Sequence, residues 1–260
     1  SGVGGRQPPF ALTTRIAERK TPMARAGIPL LAVLIDADNS SPRWAEAIFD
    51  EIAALGEASV RRIYGDFSRP QMNGWQAILP TLALVPHHQP ANTVGKNSSD
   101  IALVIDAMDL LHSGRFDGFV LISSDSDFTR LASRIREQGL DVYGIGQQKT
   151  PEAFRKACKR FIFVENLLPE PERDPREAPR DAPKRMVPSD ARPLLAAAMQ
   201  ALDKDQEWFP LGVLGQTIQA SHPDFDSRTY GCVKLSELVQ KAGGFEMRKT
   251  GNNPEVRLKP

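Results

Sequence analysis

Three short acidic motifs hold the residues best suited to chemistry. Asp36 closes an apolar run in LIDADN, Asp125 and Asp127 follow another in ISSDSDF, and Asp100 stands near the start of SSDIALVIDAMDLL. The runs LLAVLI and GFVLIS are apolar throughout rather than alternating, as strands buried on both faces should be. In open parallel α/β sheets, sites form at the carboxyl ends of strands, near the point where strand order reverses. Carboxylates gathered there repel one another, and a divalent cation relieves the repulsion. Oxygen-only donors favour Mg²⁺ or Mn²⁺, ions that polarise a phosphoryl oxygen and lower the pKa of a bound water. A lone strand-end Asp is as often a turn or cap residue. Two such strand ends in one chain favour a metal site that includes Asp36 and Asp125. Asp127 stands equally as a ligand and as the cap of the helix that begins beside it.

In the third motif, Asp106 lies six residues beyond Asp100. On a helix of ~3.6 residues per turn the two point to different sides. Asp100, at the N-terminal edge, is the ligand candidate, and Asp106 reads as a hydrogen-bonded structural residue. The rest of this helix is mostly apolar, so it is expected to be largely buried. Asn39, Lys96 and Ser124 are supporting candidates. Asn39 could hold a ligand carboxylate or form an Asx turn. Lys96 could meet a scissile phosphate or lie in a solvated loop. His87 and His88 read as surface-loop residues, because no Cys or His close in sequence completes a zinc set. Ser41 and Thr150 are expected to cap the helices that start at Pro42 and Pro151.

The elements that must position these residues alternate. Strands are predicted at Leu30–Ile35, Val60–Tyr64, Leu82–Val85, Gly118–Ser123, Val142–Ile145 and Phe161–Val164. Helices are predicted at Pro42–Leu55, Asn73–Leu79, Asp100–Ser113, Asp127–Gln138 and Pro151–Lys159. That alternation implies βαβ units and a parallel sheet covered on both faces, an α/β fold. Residues 29–168 are expected to form this domain, with residues 1–28 a flexible extension. From 169 to 188 Pro and charge replace large apolar residues, the composition of a linker. Periodicity returns over 189–260. Helices are expected at Asp190–Leu202, Leu211–Ser221 and Ser227–Gly243, then a hairpin turning at Gly251-Asn252. Three helices and a two-stranded wing make a winged helix-turn-helix.

Bulk properties exclude little. The chain has 260 residues and a net charge of +1, so a nucleic-acid partner would need locally clustered charge. Two distant cysteines make neither a disulfide framework nor a zinc set, which suits a reducing, cytoplasmic compartment. No apolar stretch nears the ~20 residues of a membrane span, and the N-terminus lacks the apolar core of a signal peptide. The C-terminal segment is polarised: residues 189–227 are acidic on balance and 228–260 basic. Arg228, Lys234, Lys241, Arg248 and Lys249 could contact phosphates. Tyr230 could stack a base or belong to the core. Trp208 and Phe209 read as core.

The set IDADN, RIYGDF, GKNSSDIALVIDAMDLL, FVLISSDSDF and GIGQQKTPEAF resembles the NYN domain of the PIN-like nuclease superfamily, in its bacterial LabA-like branch. WFPLGVLGQTI, DFDSRTYGCVKLSELV and FEMR…EVRL resemble the OST-HTH/LOTUS domain. The resemblance implies a Mg²⁺- or Mn²⁺-dependent ribonuclease whose acidic site falls on Asp36, Asp100, Asp125 and Asp127, with Asn39 following the first-strand Asp. It also implies RNA as the partner, with a protein partner for the small domain, and a homodimer, left open. Asp66 in RIYGDF belongs to the branch pattern without an assigned role. Two other readings compete. One is a non-catalytic RNA adaptor with a vestigial acidic site. The other is a haloacid-dehalogenase-like phosphatase, suggested by DAD but opposed by Asn39 and by the Asp100 helix.

Overall fold

A computed structural model of the chain describes residues 27–88, 98–167, 186–202, 207–250 and 253–259. Six parallel strands form one sheet: β1 (Leu30–Asp36), β2 (Glu57–Gly65), β3 (Val85–His88), β4 (Gly118–Ile122), β5 (Asp141–Gly146) and β6 (Arg160–Phe163). Their order is β3-β2-β1-β4-β5-β6. The order reverses between β1 and β4, which pair from Leu31↔Gly118 to Ile35↔Ile122. Five helices connect them: α1 (Ala45–Leu55), α2 (Asn73–Ile78), α3 (Ser98–His112), α4 (Thr129–Glu137) and α5 (Glu152–Ala157).

Side chains alternate across a strand, so β1 feeds two cores. Ala32 and Leu34 join Leu103 and Ala107 of α3, with residues of α4 and α5. Leu31, Val33 and Ile35 join Ile48 and Ile52 of α1 and Trp75 of α2. The continuous apolar runs are thus explained by burial on both faces.

Departures from the sequence reading are local. The third strand begins at Val85 rather than Leu82, because residues 81–83 still form a turn in which Ala83 takes φ 51°. On α3 only Leu103, Ala107 and Leu111 are buried. Ile101 is 61% and Ile105 57% exposed, so this helix is less buried than its composition suggests. Ser41 and Thr150 make no side-chain caps: the residue before the first helical turn is Ser41 without a cap bond, and Pro151, not Thr150, precedes α5.

The C-terminal part has its own core around Leu195, Leu214, Leu238 and Val256. It contains α6 (Arg192–Leu202), β7 (Phe209–Pro210), α7 (Leu211–Ser221), α8 (Leu235–Ala242), β8 (Phe245–Thr250) and β9 (Asn253–Leu258). The predicted hairpin strands pair as expected, and the turn residues 251–252 lie outside the described residues. The expected third helix is interrupted. A short turn at Ser227–Tyr230 ends in Gly231 at φ 72°, a left-handed cap that favours glycine. Chain direction resets there before α8. The two-residue β7 joins the wing beside β9. Phe209 is buried, whereas Trp208 is only half-buried, with the guanidinium groups of Arg248 and Arg257 at 4.2 and 4.7 Å from its ring.

This part docks on edge strand β6. Phe161 N donates to Pro223 O at 2.8 Å, and Asn166 Nδ2 donates to Thr229 Oγ1 at 2.9 Å. Arg228 reaches Glu51 of α1 at 2.9 Å and Asp226 at 2.6 Å. Arg160 also meets Glu51, at 3.2 Å, and Arg155 pairs with Asp224. Cys158 and Cys232 are both free and buried. No helix among the described residues is long and apolar enough to cross a membrane.

Candidate active site at the carboxyl ends of β1 and β4

Asp36 has the same strand parity as Ala32 and Leu34, so its side chain turns to the α3 face of the sheet. Ser123, just past β4, has the parity of Phe119 and Leu121 and faces the same way. Ser123 Oγ donates to Asp36 Oδ2 at 2.7 Å. Asp36 Oδ1 accepts from the backbone N–H groups of Asp38 and Asn39 at 3.1 and 3.2 Å, an Asx-type turn. Three donors hold this carboxylate, which is 1% exposed. Its pKa is nevertheless raised: burial outweighs the hydrogen bonds from Ser123 and Asn39, and Asp38 adds repulsion.

Asp100 enters the same region from the first turn of α3. Its pKa is pushed up to about 6, first by burial and then by the charges of Asp36, Asp125, Asp38 and Asp127. The side chains are therefore within mutual electrostatic range. Asp38 adds to them and also accepts from Ser99 Oγ at 3.1 Å. The sequence reading passed over it, although its place two residues after Asp36 marks it as a candidate. Asp125 is the cap itself: its Oδ1 accepts from Asp127 N at 2.9 Å, and Ser123 Oγ accepts from Asp125 N at 3.0 Å. Asp127 is exposed in the short turn that precedes α4. Ser124 Oγ accepts from Gln147 N at 2.9 Å, which ties the end of β4 to the end of β5. That approach needs Gly146, since a Cβ there would lie 2.5 Å from Ser123 O.

Asp36, Asp38, Asp100 and Asp125 form no ion pair with another described residue. The donors are all oxygen, which suits a hard divalent cation. Among the described residues, no group of three or more His, Cys, Asp or Glu side chains is gathered closely enough to hold a metal ion. Gathering three around one ion therefore requires side-chain rotation, and a cation's charge would offset the repulsion that raises Asp100.

The other candidates separate cleanly. Asp106 accepts from Tyr64 Oη at 2.7 Å and Arg62 at 2.8 Å, with His87 Nδ1 at 3.3 Å. It is structural, and His87 also packs on the Tyr64 ring. His88 Nδ1 accepts from Phe67 N. Asp66 holds a local turn through Ser68 and Arg69. Lys96 lies outside the described residues. In the C-terminal part, Arg228 is held in the docking network rather than on a free basic face, because Glu51 and Asp226 both claim it. Tyr230 is half-buried against Phe225. Lys241 pairs with Glu237 and Arg248 with Glu255, while Lys234 and Lys249 are exposed.

Two family models match the chain. Residues 30–165 match the NYN domain, and residues 182–257 match the OST-HTH/LOTUS domain. No curated protein matches. One similar solved structure is a Vibrio parahaemolyticus protein of unknown function. It is 20% identical at a TM-score of 0.45, and the match covers 54% of this chain and 94% of that one.

Proposed function

From a chain that belongs to the NYN domain family and carries a C-terminal OST-HTH/LOTUS domain, we propose a ribonuclease that hydrolyses RNA phosphodiester bonds with Mg²⁺ or Mn²⁺. What supports this reading is that the charges of Asp36 and Asp125, at the ends of two strands flanking the reversal point of the sheet, both act on Asp100 in the first turn of α3. Asp36, Asp100 and Asp125 would hold the cation, with Asp127 and Asp38 at its margin. When bound, such an ion polarises the phosphoryl oxygen and lowers the pKa of water. The chain's own part is positional. Ser123 and the Asp38 and Asn39 amides fix the Asp36 carboxylate. Asp125 is fixed by its role as the cap.

The small domain, proposed to span 189–260 after a 169–188 linker, would bring RNA to the nuclease domain at 29–168. Lys234, Lys249 and the Trp208–Arg248 pair offer phosphate and stacking contacts. The test is cleavage of labelled single-stranded and structured RNAs with Mn²⁺, Mg²⁺ or chelator. Wild type should cut only with metal. Asp36→Asn, which keeps a partner for Ser123, should lose on the order of a hundredfold or more of the rate, beyond what support residues of metal sites typically cost. Undiminished cleavage by Asp36→Asn rejects the assignment.

A further inference from the structure

A cavity of about 420 Å³ adjoins the acidic cluster on the β5 side. Asp38 and Asp125 form one wall of it, so whatever fills it abuts the carboxylates. Ser40, Ser41, Ser124, Ser126, Gln147 and Lys149 supply most of the rest. Lys149 is the one cation among the described lining residues, exposed and without an ion pair to any of them. Ser40, Ser41, Ser124 and Gln147 also line a neighbouring narrow recess, together with Gly146 and Trp44. Trp44 is 8% exposed, and its indole N–H has no acceptor. A buried donor without a partner is costly.

Away from the Asp38 and Asp125 wall, the lining combines neutral hydroxyls and amides with one ammonium group. That chemistry suits a sugar and its phosphate better than an apolar molecule. We propose that this cavity holds one nucleotide of an RNA strand beside the scissile phosphate. Lys149 binds the flanking phosphate, and the serine hydroxyls and Gln147 meet the ribose. The 2′-hydroxyl both donates and accepts, so such a lining distinguishes RNA from DNA. This rests on the ribonuclease reading above.

The test uses the full chain in chelator and a fluorescent tetraribonucleotide, followed by anisotropy across a salt series. Lys149→Ala should weaken binding and lower the slope of log K against log salt by about 0.7, the value of one single-strand phosphate contact. Lys149→Arg should restore both. One 2′-deoxy position in the probe should weaken wild-type binding but not the binding of Gln147→Ala. Unchanged affinity and slope in Lys149→Ala overturn the proposal, even where wild type cleaves RNA. Lys149-dependent binding without Mn²⁺-dependent cleavage keeps the pocket and overturns the nuclease reading instead.

Discussion

Two regions of this protein concentrate carboxylates and treat them in opposite ways. At the docking interface, Glu51 meets Arg160 and Arg228, Asp226 meets Arg228, and Asp224 meets Arg155. Every acid there has a guanidinium, and the flat, multi-donor geometry of Arg suits it to bind two acids at once. At the ends of β1 and β4, Asp36, Asp38, Asp100 and Asp125 have only hydroxyls, amides and one another among the described residues. The first arrangement holds two parts of the chain together. In the second, the charges of Asp36 and Asp100 oppose folding, as the upward displacement of both carboxyls records. A carboxylate whose charge is disfavoured by its own surroundings is a candidate for a ligand role.

The comparison can be broken most forcefully at Arg228. Arg228→Glu would set a third carboxylate between Glu51 and Asp226. These side chains are 29%, 15% and 11% exposed, so the loss should approach that of a broken buried pair, about 2–4 kcal/mol after allowance for solvent. Urea unfolding should then separate into two transitions as the C-terminal part undocks. An unaltered transition would show that the interface contributes nothing. Glu51→Arg combined with Arg228→Glu should recover part of the loss.

A smaller effect lies on α3 itself, which carries one acid of each kind. Asp106 accepts from Tyr64 Oη and Arg62, so Asp106→Asn should cost about 1–3 kcal/mol by weakening two partly buried hydrogen bonds. Thermal unfolding measures it. A variant as stable as wild type would remove Asp106 from the paired class.

The sequence reading could name Asp36 and Asp125 as candidates because strand ends are legible. A strand buried on both faces is a run of apolar residues, and its first acid marks where the run leaves the core. Parity then places Asp36 on the α3 side, where Asp100 opens the helix. The docking interface was not legible. Arg228 and Glu51 are 177 residues apart, and only the packing of two separately cored parts brings them together. Arg228 therefore read as one more cation of a basic face. The exposure of Ile101 and Ile105 was hidden for a related reason: an apolar helix reads as buried all round, although the sheet covers only one stripe. Gly231 was visible in sequence, but its left-handed turn breaks a periodicity that α8 resumes. The two residues of β7 are too few to carry any period.

Asp100 sharpens the comparison with the smallest expected change and the opposite sign to Asp106. Its carboxyl stands at about 6 against an ordinary value of 3.8, so the folded protein holds this proton more tightly than the unfolded chain. The resulting stability is fully present below about pH 4 and is lost as pH rises through about 6. A displacement of that size corresponds to about 3 kcal/mol, and partial exposure reduces it to roughly 1–2. In chelator, Asp100→Asn should therefore melt at a higher temperature than wild type at pH 7.5 and at nearly the same temperature at pH 4. Added Mn²⁺ should raise the wild-type melting temperature by mass action and move the Asn variant less. Should Asp100→Asn be less stable than wild type at pH 7.5, Asp100 would join Asp106 as a structural acid, and the contrast between the two regions would fail at the residue where it is most exposed to test.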